Sequence, residues 1–440
     1  MKRREFLAAG ASLPCISSVL RSPSAHASSW GNTMTESDAA FLIDMQMRNY
    51  RFMVEAAHPE TGFVSDRAAS DGSWFSDHAS SAACGFALTS HCVATEAGWI
   101  AREQGASHVR RLLDSLLNLA EHERGFLYHF FDRGSGMRRE RSEASSIDTA
   151  LLIAGSICAA TTFADDDEIT DLANKLYRRV EWSWMLGSNN LLHMGWLPET
   201  GMIPHQWDSY SELIILVLLA IGAPRHAIPG ECWQAWRREP VLSYEGEGFL
   251  HYPPLFVHQY PMAYFDFRAV RSPSGRSYWD NAVRAHKAQI AFLRELGVRY
   301  PTQLSHYGDD LWGLTSSDSI DGYRDWGGPY QAGRFEPDRG IDGSIVPSAA
   351  AGGLAIVPEQ ALHTLREQQS RFGERVYGRY GFINVYNPVN NWVGRDVIGI
   401  DTGISLIMAE NLRSGGVWNA FMKHEAPQRA LELAGFTKAS

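Results

Sequence analysis

Two stretches limit what this chain can fold into more than anything else in it. Leu213-Ile-Ile-Leu-Val-Leu-Leu-Ala-Ile221 and Ala150-Leu-Leu-Ile-Ala-Gly-Ser-Ile-Cys-Ala-Ala160 are apolar on every face at helical spacing, so each needs protein on all sides. Residues 107–122 and 167–187 instead show a stripe of apolar residues three and four apart, with charges opposite. Helical patterns recur at 37–57, 79–103, 107–122, 146–163, 167–187, 209–221, 277–295, 358–371, 402–412 and 427–434, and strand alternation is scarce. Striped helices alternating with fully buried ones suit a double ring. The expected fold is therefore all-α, an (α/α)6 toroid or barrel, with a helical solenoid as the alternative. Long loops crowded with Trp, Tyr, His, Asp and Gly at 188–208, 239–276 and 299–346 weigh against the solenoid and for a functional rim.

The first 27 residues read as an export signal. Lys2-Arg3-Arg4-Glu5-Phe6-Leu7 precedes a weakly apolar run to Leu20 and the small-residue triplet Ala25-His26-Ala27. The paired arginines point to the twin-arginine route and a periplasmic address, leaving residues 28–440 as one catalytic domain. Cleavage removes four basic residues and Glu5, taking the net charge from −10 to −13. Such a chain has no general attraction for phosphate backbones, so nucleic acid is not an expected partner. No stretch is apolar enough for a membrane span, and a monomer is expected. Cys84, Cys92, Cys158 and Cys232 show no metal-site spacing and read as buried thiols; neither metal nor cofactor is expected.

Acids stand at the starts of the buried helices. Glu143 and Asp148 flank Ser145-Ser146, Asp208 and Glu212 flank Ser209-Tyr-Ser211, and Asp401 precedes Ile404-Ser-Leu-Ile-Met-Ala409. In a toroid these mouths face one cavity, where two carboxyl groups, one protonated and one ionised, are what glycoside hydrolysis requires. Each acid also has a structural reading. Ser145-x-x-Asp148 has capping-box spacing, and Asp208 is a good N-cap residue. Asp401 could cap its helix, and Glu143 could be a loop acid. Glu212, immediately before nine apolar residues, has the least structural reason to exist. Asp165-Asp166-Asp167-Glu168 reads as a solvated loop that caps the helix starting at 167.

Glu143-Ala-Ser-Ser-Ile-Asp148-Thr-Ala-Leu-Leu, Gly195-Trp-Leu-Pro, Trp207-Asp-Ser-Tyr-Ser-Glu212, Phe256-Val-His-Gln-Tyr260, Phe265-Asp-Phe-Arg268, Trp312-Gly-Leu-Thr-Ser-Ser-Asp318, Asp342-Gly-Ser-Ile-Val-Pro347 and Gly399-Ile-Asp401-Thr-Gly occur in order. Together they resemble the glucoamylase-like domain of bacterial endo-β-1,2-glucanases, glycoside hydrolase family 144, and of cyclic β-1,2-glucan synthases, over residues 35 to 436. The resemblance implies an (α/α)6 barrel that cleaves β-1,2-linked glucan without metal, with Glu212 as general acid, Asp401 on the base side and Glu143 as a third acid. The sequence departs from the pattern at Ser348, where Tyr is expected, and at Thr402 and Ile404, where Gln and Pro are expected. Those differences bear on subsite shape and substrate length.

Sugar binding is expected from Asp148, Asp208 and the aromatic loops. Trp207, Tyr210, Tyr260, Trp312, Tyr323 and Trp392 are candidates to stack on pyranose faces, and His258, Gln259, Asp266, Arg268 and Asp342 to fix hydroxyls. Asp266 and Arg268 could equally form a structural ion pair. The main expectation is an inverting, endo-acting hydrolase whose Glu212 and Asp401 carboxyls stand more than about 6.5 Å apart. The alternatives are a retaining transglycosylase in which Glu143 is the nucleophile, an exo-acting enzyme on β-1,2-gluco-oligosaccharides, a polysaccharide lyase, or a non-catalytic glycan-binding protein.

Overall fold

The computed structural model describes residues 34–330 and 340–439; the export signal expected at 1–27 lies outside them. Fourteen helices are found among the described residues: α1 (Glu36–Glu55), α2 (Ser81–Glu96), α3 (Arg102–Asn118), α4 (Ser146–Thr162), α5 (Asp167–Arg179), α6 (Leu213–Ile221), α7 (Cys232–Ala235), α8 (Tyr260–Tyr264), α9 (Tyr278–Arg299), α10 (Pro347–Ala351), α11 (Pro358–Phe372), α12 (Gly399–Arg413), α13 (Gly416–Lys423) and α14 (Glu425–Leu433). None is long and apolar enough to cross a membrane.

The two kinds of helix sort into two rings. Every residue of α6 is buried, as are nearly all of α2 and α4. α5 buries only Ile169, Leu172, Ala173, Leu176 and Tyr177 and turns its charges outward. α2 packs on α4, α4 on α6, α6 on α8, α10 on α12 and α12 on α2, with α1, α3, α5, α11 and α14 outside them. The remaining gap, between α8 and α10, is bridged by Gln259, whose amide donates to the Ala349 carbonyl at 2.7 Å. The fold is the expected (α/α) toroid.

α2 and α4 meet backbone to backbone. A Cβ on Gly155 would fall 2.0 Å from the Gly85 carbonyl oxygen, and one on Gly85 would fall 2.5 Å from that of Leu151. α13 closes one end of the ring by packing on α2, α4, α8 and α12, with Val417, Trp418 and Phe421 buried. The Trp418 indole donates to the Met262 carbonyl. At the other end, short antiparallel pairs lead into the inner helices: 78–80 with 130–132 before α2, 144–145 with 195–196 before α4, and 67–69 with 396–398 before α12. These ribbons fix the height at which each mouth presents its first turn.

Several boundaries differ from expectation. Residues 79–103 are not one helix, because α2 ends at Glu96 and Gly98 takes a φ of 72° before α3 begins at Arg102. α6 begins at Leu213 rather than 209. The four cysteines are free and buried, as expected. Asp166 caps α5 by accepting from the Ile169 N–H, the role read for the acidic run.

Candidate active site

The starts of α4, α6 and α12 bring Asp148, Glu212 and Asp401 near Tyr260, at the start of α8. Its buried phenol is pushed well above its ordinary range, first by burial and then by the charges of Asp401, Tyr323, Glu212 and Asp148. That common influence places the acids of three mouths around one ring. Phe86 and Phe256 wall Tyr260, with centroids at 5.6 and 5.0 Å.

Glu212 precedes the first residue of α6 and caps nothing with its side chain. Burial, offset in part by a backbone hydrogen bond and reinforced by Asp325 and Asp148, pushes its carboxyl up to about 7. Asp401 lies in the first turn of α12, where Ile398 holds the N-cap position and no side chain caps. Burial and Asp318 push Asp401 up to about 6, while the Asn384 amide, Ser348 and Arg67 act the other way. Asn384 Nδ2 donates to Asp401 Oδ2 at 2.7 Å. The Ser348 hydroxyl is near enough to favour the carboxylate but forms no hydrogen bond of normal geometry. Ser348 is thus a family departure that falls beside Asp401.

Glu143 sits one residue before the strand that enters α4. Gly195 makes room for it, since a Cβ there would lie 2.7 Å from Glu143 Cγ. His129 Nδ1 faces Glu143 Oε1 at 3.4 Å and Nε2 faces Asp148 Oδ1 at 3.8 Å. Burial alone would lower the imidazole, but Asp148 and Glu143 raise it to about 9. In return, burial pushes Glu143 up and its hydrogen bond and charge interaction with His129 more than offset this, leaving it below its ordinary value. One ligand atom from each of these three residues lies within 4.8 Å of the others, close enough for a cation. With the imidazole protonated, the three side chains form an ion triad with a carboxylate at each nitrogen. Asp148 also takes a 2.5 Å hydrogen bond from Ser145, whose hydroxyl caps α4 as the spacing predicted.

The remaining expected residues divide. Tyr323 is 62% exposed, and its hydroxyl feels the charges of Asp401, Asp325 and Asp66. Trp207 is nearly buried and donates to Ser146 Oγ at 2.9 Å. Trp392 is half-buried in the ribbon pairing 386–387 with 392–393. Asp342 accepts from the Ser344 N–H, bracing its own turn.

Others are corrected. His258 is fully buried, with Nδ1 on the Tyr210 hydroxyl at 2.7 Å and Nε2 on His251 at 3.3 Å, so it has no nitrogen left for a sugar. Tyr210 is equally buried and presents no face for stacking. Gln259 is the ring bridge described above, also bonded to His286. Trp312 is wholly buried, its backbone N–H donating to the Thr364 hydroxyl on α11. Asp266 and Arg268 form a two-pronged ion pair at 2.7 Å, with the guanidinium 4.0 Å over Trp418 of α13, at the closed end. Asp208 caps no helix; it pairs with Arg237 at the surface. Sequence reasoning assigned nothing to Arg67, His129, Asn384 or Asp325. Asp318 stood inside a quoted motif, the one signal available.

A closed (α/α) ring with an acid-lined mouth defines the class. The chain belongs to the Glycoamylase family, whose model, described as "Putative glucoamylase", matches residues 204–425. It is 25% identical over 430 residues to the exo beta-1,2-glucooligosaccharide sophorohydrolase (non-reducing end) of Parabacteroides distasonis, a match covering 89% of this chain and 57% of that protein. The chain thus spans little more than half the length of that curated relative. Among solved structures, the endo-beta-1,2-glucanase of Chitinophaga pinensis with sophorotriose and glucose superposes with a TM-score of 0.80 at 23% identity, covering 92% of this chain and 99% of that one. The beta-1,2-glucanase of Parabacteroides distasonis gives 0.80 at 24%, covering 91% and 60%. At those identities the likeness shows the fold.

Proposed function

We propose that this protein is a glycoside hydrolase acting on β-1,2-linked glucan or gluco-oligosaccharides, with Glu212 as general acid and Asp401 as general base. One observation carries the reading: two carboxyls on different inner-helix mouths flank a common tyrosine, and burial raises both above the ordinary carboxylate range. At neutral pH Glu212, near 7, is about half protonated and can donate to the leaving oxygen, while Asp401, near 6, is mostly ionised. A water held between the two carboxyls and an inverted product belong to the same proposal. Action from a chain end, rather than the internal cleavage expected from sequence, is favoured by the relative that matches 89% of this chain and is named as exo-acting. Export by the twin-arginine route to the periplasm belongs to the same proposal.

A proton NMR time course on β-1,2-gluco-oligosaccharides of defined length tests the reading. A single short product released from the start, appearing first as the α anomer, is expected. A spread of intermediate lengths would restore endo action. A β product with Glu143→Gln inactive would make Glu143 the nucleophile.

A further inference from the structure

We propose that Arg67 is a positioning residue for Asp401, acting at a distance through Asp318, Asp396 and Asn384. The proposal rests on Asp401 serving as the base.

Asn384 is buried and fully engaged. Its backbone N–H donates to the Asp396 carbonyl at 3.0 Å, its Oδ1 accepts from the Asp318 N–H at 3.0 Å, and its Nδ2 donates to Asp401 Oδ2 at 2.7 Å. The Asp318 N–H decides which way the amide faces. Turned over, Asn384 would set donor against donor at Asp318 and oxygen against carboxylate at Asp401. Asn384 therefore offers Asp401 a proton donor only while Asp318 and Asp396 stay where they are.

Arg67 holds both. Its Nη1 donates to Asp318 Oδ2 at 3.0 Å and to Asp396 Oδ2 at 3.1 Å, and its Nε lies 3.4 Å from Asp66 Oδ2. It sits on the strand paired with 396–398, opposite Ile398 and just before α12. The Asp66 carbonyl accepts the Gly399 N–H that opens that helix. A single guanidinium thus pins the loop carrying Asp318, the strand carrying Asp396 and the approach to Asp401. Without it, Asp318 and Asp396 lose the cation they share. The other groups around Asp401 are Tyr260 of α8, Ser348 of α10 and Tyr323 of the loop at 315–326. Apart from Arg67, none of these is a cation.

The test is the pH dependence of kcat for Arg67→Met, Asn384→Ala, the double variant and Asp401→Asn. Both single variants should move the acid limb up by about one pH unit, so that a loss of about tenfold below pH 6 shrinks as pH rises. The double variant should lose little more than Asn384→Ala alone, the small excess being the direct effect of the Arg67 charge on Asp401. Arg67→Lys keeps the charge against the three carboxylates if Arg67→Met fails to fold; it should shift the limb in the same direction by less. A pH-independent loss, or losses that multiply in the double variant, would overturn the proposal. If Asp401→Asn keeps more than a tenth of wild-type activity, the reading of Asp401 as base fails; if it is inactive and the limb stays put in the single variants, only the role of Arg67 fails.

Discussion

The mouths of α6 and α12 each present one partly buried carboxyl near Tyr260, and they surround it differently. Glu212 receives no side-chain donor: beyond its own backbone hydrogen bond, what acts on it is burial and the acids Asp325 and Asp148. Asp401 is as deeply placed but has an amide donor and a guanidinium behind it. Burial raises both. The neighbours differ in kind: like charges alone beside Glu212, and donors that partly offset the like charge of Asp318 beside Asp401.

The hardest test of that comparison is removal of the proton at the α6 mouth. Glu212→Gln keeps shape but cannot donate, and turnover should fall by about 10² to 10⁴-fold with the fold intact by circular dichroism. A loss under tenfold would reduce Glu212 to a structural role.

Sharpening comes next from the charges beside it. The wild-type profile should be a bell with limbs near 6 and 7. Asp325→Asn removes a negative neighbour, so the alkaline limb should move to lower pH while the acid limb stays. An unmoved alkaline limb would separate Asp325 from Glu212.

The smallest effect is on stability. Glu212 is raised on folding, so the stability it permits is complete below its unfolded value of about 4.5 and is lost as pH rises through about 7. Glu212→Gln escapes that loss. Its melting temperature should match wild type at pH 4 and exceed it by roughly 2–4 °C at pH 8. Equal melting temperatures at both pH values would mean that Glu212 is solvated.

The double ring was legible because helices apolar on all faces can only be inner helices. α13 was not: eight residues after a left-handed Gly415 carry too little periodicity to stand out. The strand pairs, two to four residues long, show no alternation to read. The acids were legible because a carboxyl before a wholly apolar helix has few structural reasons to be there. Their partners were not. Arg67 meets Asp396 across 329 residues of chain and Asp318 across 251, so nothing local marks it. His258, Gln259 and Trp312 misled because a polar or aromatic residue in such a loop looks the same in sequence whether it faces a sugar or braces the wall behind it.

The contact between Gly85 and Gly155 sorts this molecule by what can be rewritten. Where two helices touch through side chains, a mutation in one can be answered by a mutation in the other, and the crossing can drift over generations or be repacked by an engineer. Here carbonyl meets α-carbon, and no complementary change exists. The seam between α2 and α4 is a fixed datum, and the first turn of α4, with Asp148 in it, inherits its height from there. Variety in what the protein accepts has to come from the loops around the mouths rather than from this seam.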